Sequence, residues 1–491
     1  MENNLSINEL EELKDFQVKI GLEIHIQLTK LKTKLFCGCN ADYRDKPPNT
    51  YVCPICLGLP GSLPSVNKKA IEYAIMLGLA LNAKISNRTY FFRKNYYYPD
   101  LPKNFQISQY NKAGGVPIAL GGNIKLELNE YTRIVNITRL QLEEDPGKIW
   151  YEGSILSSSA AYLDYNRSGI ALIEIVTEPD IRTPTEARVF LQKLRSIVEH
   201  LGISDLSLEG SLRCDANISL FGGQRVEIKN ISSYKDVQSA LKAEIIRQRN
   251  IYRQGGVITQ ETRHWDADKK RTFTLRVKEE EQDYRYFPEP DLLPIEITDE
   301  MIKSIKEKMP EVPDQRIKRF IEQYKLPKYD AQVLVISKSL ADFYEYVVSK
   351  YPKPKEVSNW IMSDLMRHLN TMNIEISQAK ITPDDFVEML EMIDKGIISG
   401  KLGKRILQLM MERGESPSII AKKEGLIRIT DEKIINEYID KVFKEHEKAV
   451  EDAKSDPKAI HYLIGQVMKL SKGRCDPQIL NKLILNRLKN S

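Results

Sequence analysis

Between Val18 and Leu28 the apolar residues Val18, Ile20, Leu22, Ile24, Ile26 and Leu28 fall on even positions, while Lys19, Glu23, His25 and Gln27 fall on odd ones. That period of two predicts a half-buried strand. Glu23 and His25 then share its polar face about 6.5–7 Å apart, either solvated or close enough to share a cation or a phosphate. The stretch SLRCDANISLFGGQRVEIKN repeats the pattern. Leu212, Cys214, Ala216, Ile218 and Leu220 alternate with Arg213, Asp215, Asn217 and Ser219, Gly222-Gly223 turns the chain, and a second strand carries Glu227 and Lys229. This predicts a hairpin with one charge-mixed face.

Helical signals lie between and after these strands. Thr183 is an expected N-cap, Pro184 occupies the first turn, Glu186 is placed to close a capping box and Gly202 ends the helix. Another helix runs from about Ser233 to Gln254 and stops at Gly255-Gly256. From about Thr298 strand signals fade, and Pro and Gly become boundary markers, as in the helix opened by Thr382-Pro383-Asp384-Asp385 and closed by Gly396. After Gly414 a last helical block ends in a basic stretch where Lys469, Lys472, Arg474, Lys482, Arg487 and Lys489 face one acid, Asp476.

Composition narrows this picture little. A chain of 491 residues, 42% hydrophobic and 29% charged, is expected to fold into about three globular domains. Its net charge of +5 neither requires nor excludes nucleic acid. There is no run of 18 apolar residues, and the acidic start MENNLSINELEELKDF lacks the order of a signal peptide, so a cytoplasmic protein without a membrane partner is expected.

Candidate chemistry changes it more. Of six cysteines, four cluster as Cys37-Gly-Cys39, with one spacer where two are usual, and Cys53-Pro-Ile-Cys56, two knuckles suited to a closed, structural zinc site, the alternatives being unligated thiols or a redox pair. Cys214 and Cys475 are isolated and expected to be inert. The strand in TRLQLEEDPGK ends in Glu143-Glu144-Asp145, and Glu174 stands between Ile173 and Ile175 in an apolar strand. A buried carboxylate needs a cation or a donor, either an arginine such as Arg182 or Arg213, or a metal. Glu23, His25, Glu144 and Glu174 together offer the mixed ligands of a magnesium ion, and Arg213 and Lys229 suit phosphate oxygens. The one run near a P-loop, Gly396 to Leu402, is a residue short and reads as a helix–helix turn, and no dinucleotide or hydrolase motif occurs.

The stretches IGLEIHIQL, KLFCGC, NTYVCPICLGLPGSLPSVN, RKNYYYPDLPKNFQISQY, ITRLQLEED, LIEIVTEPDIR, EGSLRCDANIS, DYRYFPEPD and GQVMKLSKG resemble, in order from about residue 18 to the C-terminus, the B subunits of the tRNA-dependent amidotransferases, the GatB branch of the GatB/GatE family. The resemblance implies that ATP phosphorylates the side-chain carboxylate of glutamyl-tRNA(Gln), or of aspartyl-tRNA(Asn), and that ammonia then displaces phosphate. It implies partners: a glutaminase (amidase) subunit that releases ammonia, a small third subunit, and the aminoacyl-tRNA. By resemblance, magnesium is held by His25, Glu144 and Glu174 with Glu23, Glu143 and Asp145 nearby. Arg213, Asp215 and Lys229 are weaker candidates for phosphate contact. The four cysteines match zinc-bearing members. Lys469, Lys472, Arg474, Lys482 and Arg487 are candidates for tRNA phosphates, or else part of a solvated amphipathic helix.

The implied fold is α+β. An N-terminal extension (1–17) precedes an antiparallel-sheet cradle with flanking helices (18–296, zinc loop 37–56), followed by a helical domain (297–411) and a small helical tail resembling YqeY-type proteins (412–491). Two rival readings remain at this stage: a non-catalytic tRNA-binding scaffold, and a free-standing zinc-dependent RNA-binding factor. The second is disfavoured because the cysteines lack interleaved aromatic and basic side chains.

Overall fold

The structure, a computed structural model, describes residues 5–112, 114–128, 131–153, 158–231, 233–277, 284–429, 431–453, 457–471 and 473–490. Two compact units divide the chain, Met1–Pro313 and Asp314–Ser491.

In the first unit helix α1 (Leu5–Lys14) precedes strand β1 (Lys19–Gln27). Helix α2 (Lys68–Ala80) leads to β2 (Phe92–Asn95), β3 (Phe105–Ser108), β4 (Thr132–Glu144) and β5 (Ala171–Thr177). Helix α3 (Pro184–Leu201) is followed by β6 (Leu212–Ser219), β7 (Val226–Ile231) and helix α4 (Tyr234–Arg253). The chain continues through β8 (Glu261–Asp266), β9 (Arg271–Val277) and the short β10 (Phe287–Pro288). These strands form the main path of a thirteen-stranded sheet in the order β9-β8-β7-β6-β1-β5-β4-β3-β2-β10. The sheet expected to be antiparallel is mixed, because β7 and β8 pair in parallel. Helix α4 lies between them in the chain and supplies the crossover that a parallel pair requires.

The alternation read from β1 is realised. Ile20, Leu22, Ile24 and Ile26 are at most 1% exposed, each worth about 1.5–3 kcal/mol on burial, and they join a core with Ile173 and Ile175 of β5, Ala216 and Ile218 of β6 and the stripe Ala187, Phe190, Leu191, Leu194 and Val198 of α3. Thr183 caps α3 by accepting from the Glu186 backbone N–H at 3.1 Å, and Gly202 ends the helix at φ 67°. The expected capping box is only half made. The Glu186 carboxylate accepts from the Arg182 N–H at 2.7 Å, Arg133 Nε at 3.1 Å and the Tyr131 hydroxyl at 2.9 Å. A fully buried carboxylate finds more compensation from a guanidinium than from one amide.

The N-terminal extension folds onto this unit: Leu13 enters the core, and Phe16 packs edge-on against Phe221 at 5.4 Å. The unit also extends beyond the expected boundary at 296. Ile297 and Ile305, the latter on helix α5 (Asp299–Glu307), pack into the first core. The second unit is helical with two apolar clusters, one from Phe320 to Ala421 and one from Ile435 to Ile484. Ile420 and Ala421 thus belong with the preceding helices and not with the tail expected from 412.

Candidate functional site

Antiparallel register turns separate sequence motifs into rows across the sheet. His25 is opposite Arg213 of β6 on one side and Glu174 of β5 on the other, and Glu174 is opposite Gln141 of β4. In the next row Glu23 is opposite Asp215 and Val176. Because facing residues on adjacent strands share one surface, carboxylates and cations far apart in the chain meet on one polar face.

At its centre His25 Nε2 stands 3.2 Å from Glu143 Oε1 and 3.8 Å from both Glu23 Oε1 and Glu174 Oε2. Glu174 also accepts from Arg139 and from the Gln141 amide, each at 3.1 Å, and Glu143 accepts from the Ser108 hydroxyl at 3.1 Å. Burial opposes a charge on His25, but the Glu143 hydrogen bond and the surrounding carboxylates outweigh it and push the imidazole up to about 9. Burial, then Glu143 and Glu23, raise the Glu174 carboxyl. Glu143 is buried too, yet its bond to His25 holds it below the usual carboxylate range. Three carboxylates thus crowd one imidazole, an arrangement that favours an added cation. One ligand atom each from Glu23, His25 and Glu174 lie within 4.8 Å of one another. An oxygen-rich set of this kind suits a hard divalent ion such as magnesium, which keeps waters and takes few protein carboxylates.

The remaining expected residues divide. Asp145 accepts from Arg213 and from the Gln27 amide, both at 2.7 Å. Lys229 donates to Asp215 at 2.8 Å and pairs with Glu227 at 3.1 Å. Arg213 and Asp215 lie on β6 beside the strand of His25, Lys229 and Glu227 one strand further on β7, and Asp145 just past the end of β4. Glu144, expected among the magnesium ligands, is not brought into this group. Neighbouring residues of a strand point to opposite faces, so Glu144 leaves the side of Glu143, binds the Lys103 ammonium through both oxygens and accepts from the Ile107 N–H at 2.9 Å. Because Lys103 and Glu144 are both nearly enclosed, Lys103→Met is expected to strand a buried carboxylate and cost about 3–5 kcal/mol, measured by urea unfolding of the chain.

The arginine on Glu174 is Arg139, in place of the expected Arg182 or Arg213. Arg182 donates instead to the Pro179 and Ile181 carbonyls. Sequence reading missed Arg139, Gln141 and Ser108. Arg139, Gln141 and Glu143 alternate with Leu140 and Leu142, a signal for one shared face that was present but unused. Ser108 carried no such signal, since its role depends on β3 pairing with β4 at Glu143.

The sulfurs of Cys37, Cys39, Cys53 and Cys56 also lie within 4.8 Å of one another. Four thiolates around zinc, at a Zn–S distance of about 2.3 Å, would stand roughly 3.8 Å apart, so the set fits that ion. The Cys56 thiol is held well below its usual range, first by its hydrogen bond with Cys37 and then, against burial, by the Lys34 ammonium. Lys34 is itself fully buried, with Nζ 3.7 Å from Cys56 Sγ and 2.8 Å from the Tyr51 carbonyl oxygen. Gly58 ends the second knuckle at φ 67°, and a Cβ there would fall 2.4 Å from Lys103 Cγ. Cys214 and Cys475 are buried.

In the tail, Lys469 and Lys482 are exposed. Arg474 donates to the carbonyls of Ser471 and Gly425, at 3.1 and 3.0 Å, and Arg487 pairs with Asp440. Lys472 lies outside the described residues.

The GatB/GatE catalytic domain matches residues 18–303, and the GatB domain matches residues 342–488. Among curated proteins, the aspartyl/glutamyl-tRNA(Asn/Gln) amidotransferase B subunit of Saccharolobus solfataricus is 50% identical over 472 residues, covering 96% of this chain and 99% of that one. The protein of the same name from Sulfolobus acidocaldarius is 51% identical over 472 residues, with coverage of 96% and 99%. That of Carboxydothermus hydrogenoformans is 46% identical over 484 residues, with coverage of 97% and 99%.

Proposed function

Because this chain belongs to the GatB family, the B subunits of the aspartyl/glutamyl-tRNA(Asn/Gln) amidotransferases, which are tRNA-dependent and glutamine-using ligases, we propose that the polar sheet face around His25 is where ATP activates the side-chain carboxylate of glutamyl-tRNA(Gln), and of aspartyl-tRNA(Asn) where that tRNA is presented. The observation that carries this reading is the convergence of Glu23, His25, Glu143 and Glu174 from three strands onto one half-buried point.

Carboxylate is a poor acyl donor because oxide must leave, and transfer of the γ-phosphoryl group converts that oxygen into a phosphate leaving group. Glu23, His25 and Glu174 would hold a divalent ion, which would supply neutralising charge to the phosphoryl oxygens. The chain's own side chains fix the geometry. Arg139 and Gln141 orient Glu174, and Ser108 with His25 orients Glu143. Arg213 on β6 and Lys229 on the next strand, β7, border the path of the phosphates. They are ion-paired to Asp145 and Asp215 at 2.7 and 2.8 Å.

Ammonia is delivered by a partner glutaminase within a complex that includes a small third subunit. The second unit of this chain supplies the tRNA contacts, with Lys469 and Lys482 the exposed candidates. Zinc at the four cysteines is structural, since four thiolates leave no open position. Among the described residues no helix is long and apolar enough to cross a membrane, and the complex works in the cytoplasm with the rest of translation.

The reading is tested by titrating magnesium into the reconstituted complex with ATP, glutamyl-tRNA(Gln) and glutamine. Glu23 is the most exposed of the candidate ligands, at 32%, so Glu23→Gln is expected to raise the half-saturating magnesium concentration about 10-fold or more while leaving measurable phosphate release. An unchanged magnesium requirement would remove Glu23 from the site.

A further inference from the structure

The motif RKNYYYPDLPK contributes a cation that the proposed site has not used. Arg139, Arg213 and Lys229 are each engaged by a carboxylate at 3.1, 2.7 and 2.8 Å, and Lys103 is held by Glu144. Lys94 of β2 differs: among the described residues no carboxylate oxygen lies within 4 Å of its ammonium. Its Nζ instead stands 5.0 Å from the ring centre of Tyr284 and 5.6 Å from that of Tyr96.

Register places it beside the carboxylates. Lys94 is opposite Gln106, and two residues on along β3 Ser108 is opposite Glu143, so the period of two puts Lys94, Gln106, Ser108 and Glu143 on one face. Burial works to discharge the lysine, but Tyr286, Glu143, Tyr96 and Glu174 hold it above the ordinary value. Aromatic walls attract an ammonium through their ring faces without neutralising it. An ion-paired lysine has already committed its charge, whereas Lys94 keeps a full charge for a ligand.

We propose that Lys94 is a catalytic residue whose ammonium contacts an oxygen of the phosphoryl group in transit between ATP and the substrate carboxylate. The inference rests on the reading of the His25 face given above. In that step a carboxylate oxygen bonds to the γ-phosphorus, the bond to the β,γ-bridging oxygen breaks, and ADP leaves with the electron pair. No proton moves, so a permanent point charge serves better than a titrating acid.

The test is steady-state phosphate release by the reconstituted complex carrying Lys94→Met, Lys94→Arg or His25→Ala. Lys94→Met is expected to lower kcat by about 10²–10³-fold, with KM for ATP, glutaminase activity and the thermal midpoint near wild type, and Lys94→Arg should recover part of the loss. If the Met variant aggregates, Lys94→Gln replaces it under the same expectation. Wild-type kcat in Lys94→Met beside an inactive His25→Ala overturns the inference and leaves the site standing. Wild-type rates in both remove the site reading itself. A loss that Arg does not relieve, accompanied by a lower thermal midpoint, assigns Lys94 to the fold and overturns the inference as well.

Discussion

Replacing Glu174 by Gln is expected to cut tRNA-dependent phosphate release and amide formation by about 10³-fold, roughly 4 kcal/mol of barrier, while glutaminase activity and tRNA binding stay within a few-fold of wild type. The substitution keeps shape and removes the charge that a divalent ion would use. The stability of the metal-free chain should move the other way. Glu174, Glu143 and Glu23 crowd His25, so neutralising one carboxylate relieves repulsion, and the thermal midpoint should be unchanged or higher. Glu143→Gln is the contrast. That carboxylate is the closest partner of His25 at 3.2 Å and also holds Ser108, so its removal should lower activity and stability together. Calorimetry beside turnover assays separates the two cases. Full turnover in Glu174→Gln would make the cluster structural and return the non-catalytic scaffold as the better account.

The second large effect concerns the cysteines. Chelation of zinc, or Cys37→Ser, is expected to lower the thermal midpoint by on the order of 10 °C. Without the metal only Cys56, held below its usual range beside Lys34, keeps its charge, and the two knuckles lose the bonds that tie them together; a loss of about 3–5 kcal/mol, at roughly 2–4 °C per kcal/mol, gives a shift of that size. Turnover should fall with it. Leu35 donates to the Gly169 carbonyl, Gly169 donates to that of Asp145, and Asp145 in turn holds Arg213 and Gln27, so a loosened knuckle disturbs the edge of the polar face. Metal analysis of the purified full chain should give one zinc per chain. A metal-free protein whose midpoint ignores both chelator and Cys37→Ser would show the thiols to be unligated.

The sequence alone determined which residues share a strand face. Val18 to Leu28 alternates without a break, so burying its even positions was the one way to satisfy them, and Glu23 and His25 had to emerge together. Helix ends were equally local, because Thr183, Pro184 and Gly202 act on the turn they sit in. The cysteine spacing likewise brought two knuckles within reach of one ion. The family resemblance then carried the activity, which no periodicity expresses.

Tertiary structure decided what depends on register and packing between distant segments. Glu143 and Glu144 are chemically alike neighbours, and only the pairing of β4 with β5 and β3 sends Glu143 to His25 and Glu144 to Lys103. Glu174 took Arg139 because both lie on paired strands, while the sequence-near Arg182 turned to backbone carbonyls. The domain boundaries moved for a similar reason: α5 follows its buried Ile305 into the first core, and Ile420 follows the helices that cover it. Alternation and capping act over a few residues and can be read along the chain, whereas a long-range partner is chosen by the whole sheet.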